Sequence, residues 1–315
     1  MRVLLTGASS FTGAWFAHTL AARGHDVLCA LRGPASSGGD DLRRFRIGLL
    51  DGCAVAELAP FGTEAFLALL EEHAPFDLLA LHGWAGGDHR RPDLPVDDAV
   101  AATTFRLTSV LDGLVRAGGT VVLLTGSVFE SGEGSPDPET PPLNRYGLAK
   151  SLIRERVRHA VAEAGLRLHR FVVPHPIGPG AKPGLVSELA AAWLAGRPAV
   201  LRSPATVRDL VPVDLLGLDY ARFCEAAVAG GAAAARRPSG QIATLAEHAE
   251  RIAAALRARW DRPCLIEASA GAAAEPQRVN REPCAASHPD WSAERFWDRL
   301  AGFYAQGPRS LSTVN

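Results

Sequence analysis

A chain of 315 residues, 47% hydrophobic and 21% charged, has the balance of a globular protein with a sizeable buried core. Its 33 basic and 34 acidic residues leave a formal net charge of −1, so no polybasic surface is available to hold nucleic acid or anionic lipid by counterion release. The longest apolar stretches, such as Ala190–Ala195, fall far short of the roughly 20 residues of a spanning helix, and the N-terminus runs into a strand-like segment with no cleavage signal, which points to a cytoplasmic protein without a membrane partner. Five scattered cysteines with no C-x-x-C pair, and ten histidines with no H-x-x-x-H pair beside an acid, argue against a disulfide framework and a metal site.

The first elements are a short apolar run at Arg2–Leu5, a glycine- and serine-rich stretch at Thr6–Gly13, and helical apolar spacing over Ala14–Arg23 that stops at Gly24. Asp26–Leu31 is a second apolar run and Arg32–Asp40 a loop, so the first forty residues spell a βαβ unit. Further strands are predicted near Arg46–Leu50, Asp77–Leu81, Thr120–Leu124 and Leu168–Val173, with helices near Gly62–His73, Asp97–Ala117 and Arg145–Ala164. That alternation predicts an α/β fold of the Rossmann type, a doubly wound parallel sheet covered on both faces. Beyond Gly178 the elements shorten: a helix over Gly184–Ala195, apolar segments at Ala199–Leu201 and Val207–Val213, and a helix over Leu215–Ala229. The expected organisation is a dinucleotide-binding domain over 1–175, a smaller C-terminal α/β part over 176–305 with some segments returning to the first sheet, and a tail over 306–315. The Ala-, Arg- and Gly-rich stretches 230–240 and 268–274 read as mobile surface loops.

Thr6-Gly7-Ala8-Ser9-Ser10-Phe11-Thr12-Gly13 lies between the first strand and the first helix, where backbone amides and the helix dipole point at an anion. Gly7 allows the tight turn and Gly13 lets the helix pack close to the strand. Ser10 replaces the middle glycine of a dinucleotide loop, and Ser9, Phe11 and Thr12 complete the expected contact set. The second strand ends in Leu31-Arg32-Gly33 with no carboxylate to take a ribose 2′-hydroxyl, whereas a guanidinium pairs well with a 2′-phosphate. The expected cofactor is therefore NADP(H) rather than NAD.

Tyr146-Gly147-Leu148-Ala149-Lys150 sets a phenol and an ammonium on one face of a helix, in a chain with only three tyrosines and two lysines. A phenol with an ordinary pKa of about 10 becomes a usable acid or base when a neighbouring ammonium favours its ionised form.

With the glycine loop at the N-terminus and Y-x-x-x-K near residue 150, the chain resembles the extended short-chain dehydrogenase/reductase family of nucleotide-sugar epimerases, dehydratases and ketoreductases. The resemblance implies several further roles. Leu124-Thr125-Gly126-Ser127-Val128-Phe129 is similar to the family's S-S-x-x-V-Y-G segment, which makes Thr125 the hydroxyl that steadies the reacting oxygen and Ser127 a sugar contact. Leu81-His82-Gly83-Trp84 follows the fourth strand, where Leu81 and Gly83 are expected against the cofactor and His82 and Trp84 against the sugar. Pro174 is a further expected cofactor contact, and His175 stands where many members have a substrate-contacting asparagine. Val207-Arg208-Asp209-Leu210-Val211-Pro212-Val213-Asp214 is similar to a diphosphate-contacting segment, which gives that role to Arg208, with a second contact expected from Gln277 and Arg278.

Departures from the family narrow the chemistry. Gly126 and Ser127 stand where the 4,6-dehydratases carry an Asp-Glu pair, so elimination lacks its acid and base, and the decarboxylases and GDP-fucose-forming epimerase-reductases are disfavoured by the same two positions. Hydride transfer to or from a carbonyl remains. The expectation is an NADPH-dependent ketoreductase of a nucleotide-linked keto-deoxysugar, such as a dTDP-4-keto-6-deoxyhexose, with Tyr146 as proton donor and Thr125 and Lys150 in support. A 4-epimerase that retains NAD and a reductase of a non-sugar ketone are the alternatives, and a homodimer is expected.

Overall fold

A computed structural model describes residues 1–36, 40–268, 275–284, 288 and 291–307. The chain runs β1 (Arg2–Thr6), α1 (Phe11–Ala22), β2 (Asp26–Ala30), α2 (Asp41–Gly48), β3 (Ala54–Ala56), α3 (Glu64–Glu72), β4 (Leu78–Leu81), α4 (Val96–Thr103), α5 (Leu107–Arg116), β5 (Val121–Ser127), α6 (Arg145–Glu163) and β6 (Arg167–Val173). Shorter elements follow: β7 (His175–Ile177), α7 (Leu185–Leu194), β8 (Ala199–Leu201), β9 (Val207–Pro212), α8 (Val213–Ala229), β10 (Ala235–Arg236), β11 (Pro238–Ser239), β12 (Gln241–Thr244), α9 (Leu245–Trp260), β13 (Ile266–Ala268), β14 (Glu282–Pro283) and α10 (Ala293–Gln306).

Seven parallel strands form the main sheet in the order β10-β6-β5-β4-β1-β2-β3. The inner strands read as unbroken apolar runs because both faces are covered. One face packs on α1 and α8, where Phe16 and Tyr220 stack at 3.9 Å, and the other on α3, α5 and α6. A smaller part holds the sheet β12-β9-β7 and the pair β13-β8, around a core shared by α7, α9 and α10. The fold is thus the predicted Rossmann-type parallel sheet with a smaller C-terminal part.

Three local expectations are corrected. Arg46–Leu50 is not a strand: Asp40 accepts from the Arg43 amide at 2.8 Å to cap α2, whose Leu42 and Phe45 share one apolar face with Leu49 just beyond its end, and the third strand is β3. The single helix predicted over 97–117 is two, because the Thr104 hydroxyl donates back to the Val100 carbonyl at 2.8 Å and Arg106 turns left-handed at φ 48°. Residues 230–240 are not a loose loop. Arg236 reaches Asp219 at 2.8 Å and Glu282 at 2.9 Å, Arg237 reaches Glu133 at 2.7 Å, and β10 joins the main sheet. Of the other predicted loop and the tail, residues 269–274 and 308–315 lie outside the described residues, and α10 continues to Gln306. Among the described residues no helix is long and apolar enough to cross a membrane.

Candidate active site

The strands of a parallel sheet end together, and a cavity of about 970 Å³ opens across the ends of β1, β4 and β5 and reaches into the C-terminal part. Gly7, Ser9, Ser10, Phe11, Thr12, Arg32, Leu81, His82, Gly83, Trp84, Thr125, Ser127, Tyr146, Lys150, Pro174, His175 and Arg208 all line it. Gly13 lies beneath, where a Cβ would stand 2.3 Å from the Gly7 carbonyl oxygen. Gly7, at φ +75°, brings its backbone against Gly83, so a Cβ there would meet the Gly83 Cα at 2.8 Å.

At the loop end, Ser10 caps α1 by accepting from the Gly13 amide at 3.2 Å. The Phe11 and Thr12 amides bond no other described residue, and the first turn of α1 carries no acid. Two free donors, the helix dipole and a backbone pressed close by Gly7 and Gly83 suit a diphosphate, so the residues present fit a dinucleotide. The Arg32 guanidinium forms no hydrogen bond or ion pair among the described residues. Leu31 is buried beside it, and Glu275 is the one acid among the described residues that line the cavity.

At the centre, the buried Lys150 donates to the Thr125 carbonyl at 2.6 Å, which fixes the end of β5 against α6. Asn144 caps α6 by accepting from Gly147 at 2.9 Å, which starts the helix just before Tyr146. The Tyr146 ring is held edge-on by Trp84 at 5.0 Å and tilted against His89 at 5.1 Å. Desolvation, then the Glu130 carboxylate, raise the Tyr146 phenol well above its ordinary value. This is opposite to the shift expected from Lys150, whose own pKa burial lowers. Glu130 is buried, accepts from the Ser127 amide at 2.8 Å and pairs with Arg170 at 2.9 Å. Ser127 is buried and accepts from the Phe129 amide at 3.3 Å. The Trp84 indole N–H is taken by the Gly87 carbonyl at 2.8 Å, so its ring offers the cavity an apolar edge.

Two expected sugar or phosphate contacts are placed elsewhere. The His82 ring turns under the glycine loop, with Nε2 at 3.1 Å from both Ser10 Oγ and Thr12 Oγ1 and Nδ1 at 3.0 Å from Thr125 Oγ1. Its direction follows from its position just past β4: the backbone is pinned as the His82 and Gly83 amides donate to Thr6 Oγ1 at 3.0 and 2.9 Å. Arg278 does not line the cavity. It is buried and donates to the Glu133 carbonyl at 3.1 Å and to the Pro141 carbonyl at 2.5 Å, so its guanidinium ties two loops together.

At the far end, Arg208 lines the cavity but its guanidinium is ion-paired with Glu275. Beside it both ring nitrogens of His175 are enclosed without a hydrogen-bond partner among the described residues, and desolvation, followed by the nearby Arg208, brings the ring down to about 3. A neutral ring there presents one donor and one acceptor. Glu275, His89 and Glu130 are site residues that sequence reasoning missed. Glu130 alone carried a signal, as the charge that ends the apolar run of β5.

A model described as the NAD dependent epimerase/dehydratase family matches residues 3–228. Solved structures similar to the chain include a UDP-glucose 4-epimerase from Brucella ovis in complex with NAD, at 15% identity over 96% of this chain and 98% of that one, TM-score 0.74. A UDP-glucuronic acid 4-epimerase from Bacillus cereus, in complex with UDP-glucuronic acid and NAD, is 16% identical over 97% of this chain and 99% of that one, TM-score 0.67. The enzyme WbmG of Bordetella bronchiseptica, in complex with NAD and UDP, is 15% identical over 97% of this chain and 94% of that one, TM-score 0.65. No curated protein sequence matches the chain.

Proposed function

We propose that this chain, which belongs to the NAD-dependent epimerase/dehydratase family, is an NADPH-dependent reductase of a nucleotide-linked keto sugar, for which a dTDP-4-keto-6-deoxyhexose is the natural candidate. The observation that carries the reading is the end of β2: a buried leucine and an arginine that pairs with no described residue, with no carboxylate among the described residues that line that end of the cavity. An arginine pairs with a ribose 2′-phosphate, and an acid would repel it.

Gly7, Ser9, Ser10, Phe11 and Thr12 cradle the diphosphate, and Leu81, Gly83 and Pro174 line the nicotinamide side. Bound there, the nicotinamide supplies the hydride. Tyr146 gives its phenolic proton to the ketone oxygen, a role that suits a phenol whose surroundings hold it protonated. The Thr125 hydroxyl donates to the same oxygen, and Lys150 braces the strand end that carries it. Arg208 takes the diphosphate of the sugar nucleotide in place of Glu275, and Ser127, Trp84 and His175 face the sugar. A homodimer in the cytoplasm completes the reading, with Val115 of α5 and Leu148 and Leu152 of α6 exposed for the contact.

A second reading, a 4-epimerase that retains NAD, is favoured by one observation: the similar structures are 4-epimerases in NAD complexes. Denaturing the purified protein, identifying any released nucleotide and titrating the empty form with NADPH and NADH separates the two. The reductase arrives empty, prefers NADPH by about tenfold or more, and oxidises it when given the keto sugar. Release of tightly held NAD, with interconversion of 4-epimers, establishes the epimerase instead.

A further inference from the structure

His82 connects two parts of the cavity that lie about 70 residues or more apart in sequence from it on one side and 43 on the other. Its ring packs edge-on to Phe16 at 5.2 Å and occupies the space that Gly13 leaves open, since a Cβ at Gly13 would come within 2.9 Å of the His82 Cδ2. Desolvation, followed by the charge of Lys150, brings the imidazole down to about 3, so it is neutral at working pH. A neutral ring has one N–H and one bare nitrogen, and which is which decides the direction of every hydrogen bond it makes.

Two hydroxyls, Ser10 and Thr12, crowd Nε2 at 3.1 Å. The Ser10 oxygen already accepts the Gly13 amide, which leaves its own O–H to be donated. With a hydroxyl proton directed at Nε2, the ring proton sits on Nδ1 and is donated to Thr125 Oγ1 at 3.0 Å. The threonine oxygen then accepts from behind; the buried Tyr220 hydroxyl beside it makes no hydrogen bond among the described residues, so the threonine proton is left for the cavity. In the opposite tautomer Nδ1 would draw that proton away from the cavity.

We propose that His82 is a positioning residue: held in its Nδ1–H form by the Ser10 and Thr12 hydroxyls, it donates to Thr125 and so commits the threonine proton to the reacting oxygen. The inference rests on the reading of Thr125 given above, and it makes the order of the phosphate loop a condition for a competent threonine.

Two measurements test it. In protein with 15N-labelled histidine, the His82 ring nitrogens report the tautomer directly, with NADPH present and absent and no substrate needed. The Nδ1–H form is expected in both states; a proton on Nε2, or on both nitrogens, overturns the proposal. The second measurement is a cycle of single and double variants on turnover of the keto sugar with NADPH. His82→Leu is expected to lower kcat by roughly tenfold or more, with KM nearly unchanged. His82→Asn, whose amide can replace the Nδ1 donor, recovers most of the loss, and His82→Gln does not. In a Thr125→Val background His82→Leu costs nothing further, because no hydroxyl remains to orient. Additive losses in that cycle, or equal losses for Asn and Gln, overturn the proposal. If the wild-type protein reduces no nucleotide-linked ketone, the functional reading falls while the tautomer measurement still decides the role of His82.

Discussion

The two ends of the cavity hold their cations in opposite ways. At the loop end Arg32 and the Phe11 and Thr12 amides have no partner among the described residues, and everything comes from one βα turn and the strand beside it. At the far end Arg208 comes from β9, its partner Glu275 from a segment 67 residues later, and His175 from β7. The first end is set for an anion before one arrives. The second holds its cation against an internal carboxylate, so on the proposed reading a ligand phosphate has to displace it, and affinity there is a difference between two ion pairs.

The largest effect is expected between the ends. Tyr146→Phe removes the proton donor without touching either anion site, so kcat should fall by about a thousandfold while NADPH and nucleotide-sugar affinities, read by fluorescence titration, stay within about twofold. Loss of binding instead would place Tyr146 in one of the two ends rather than between them. Next comes a cation that belongs to neither. Arg278→Met leaves the Glu133 and Pro141 carbonyls without their donor, and should cost about 1–3 kcal/mol in denaturant unfolding with KM for the sugar nucleotide unchanged.

Acid sharpens the contrast further. His82 and His175 are both held neutral down to about 3 in the folded protein, whereas an unfolded histidine protonates near 6.5. Between those values the unfolded chain binds more protons, so stability falls as pH drops below about 6.5, by at most about 1.4 kcal/mol per pH unit for each ring. Unfolding midpoints from pH 8 to 5 should show the slope, and His82→Asn should flatten it. A smaller change is expected at the loop end itself: Arg32→Ala should weaken NADPH by about tenfold and leave NADH alone. The smallest lies at the far end, where Glu275→Gln should tighten the sugar nucleotide by about threefold, in line with a partly exposed ion pair. A weakening there would mean that Glu275 holds the ligand rather than competing with it.

What could be read in advance follows the same division. The turn Thr6–Gly13 and the pair Tyr146 and Lys150 are contiguous or one helical turn apart, so their spacing alone states their geometry. His82 could be located but not aimed, because its direction depends on hydroxyls 70 and 72 residues earlier and a threonine 43 later. Arg278 follows no periodic element, and its burial is set by carbonyls of two distant loops. The helix at Asp41–Gly48 packs its apolar face on Trp15, Val213 and Phe303, all distant in the chain, and residues 230–240 take their order from carboxylates on α8, β14 and the loop after β5. In each case the deciding partner lay outside the window over which a pattern repeats.

The two-residue strand β10 closes a side of the main sheet that would otherwise end at β6, pairing Ala235 with Arg170 and Arg236 with Phe171. β6 carries the run Arg167–Val173, half of it apolar and long enough to recruit another chain if left as a naked border. Cutting the gene after residue 175 would therefore do more than remove the C-terminal part: the shortened product would carry an unguarded rim and self-associate during expression. A version that carries residues 234–237 back to that rim should stay dispersed.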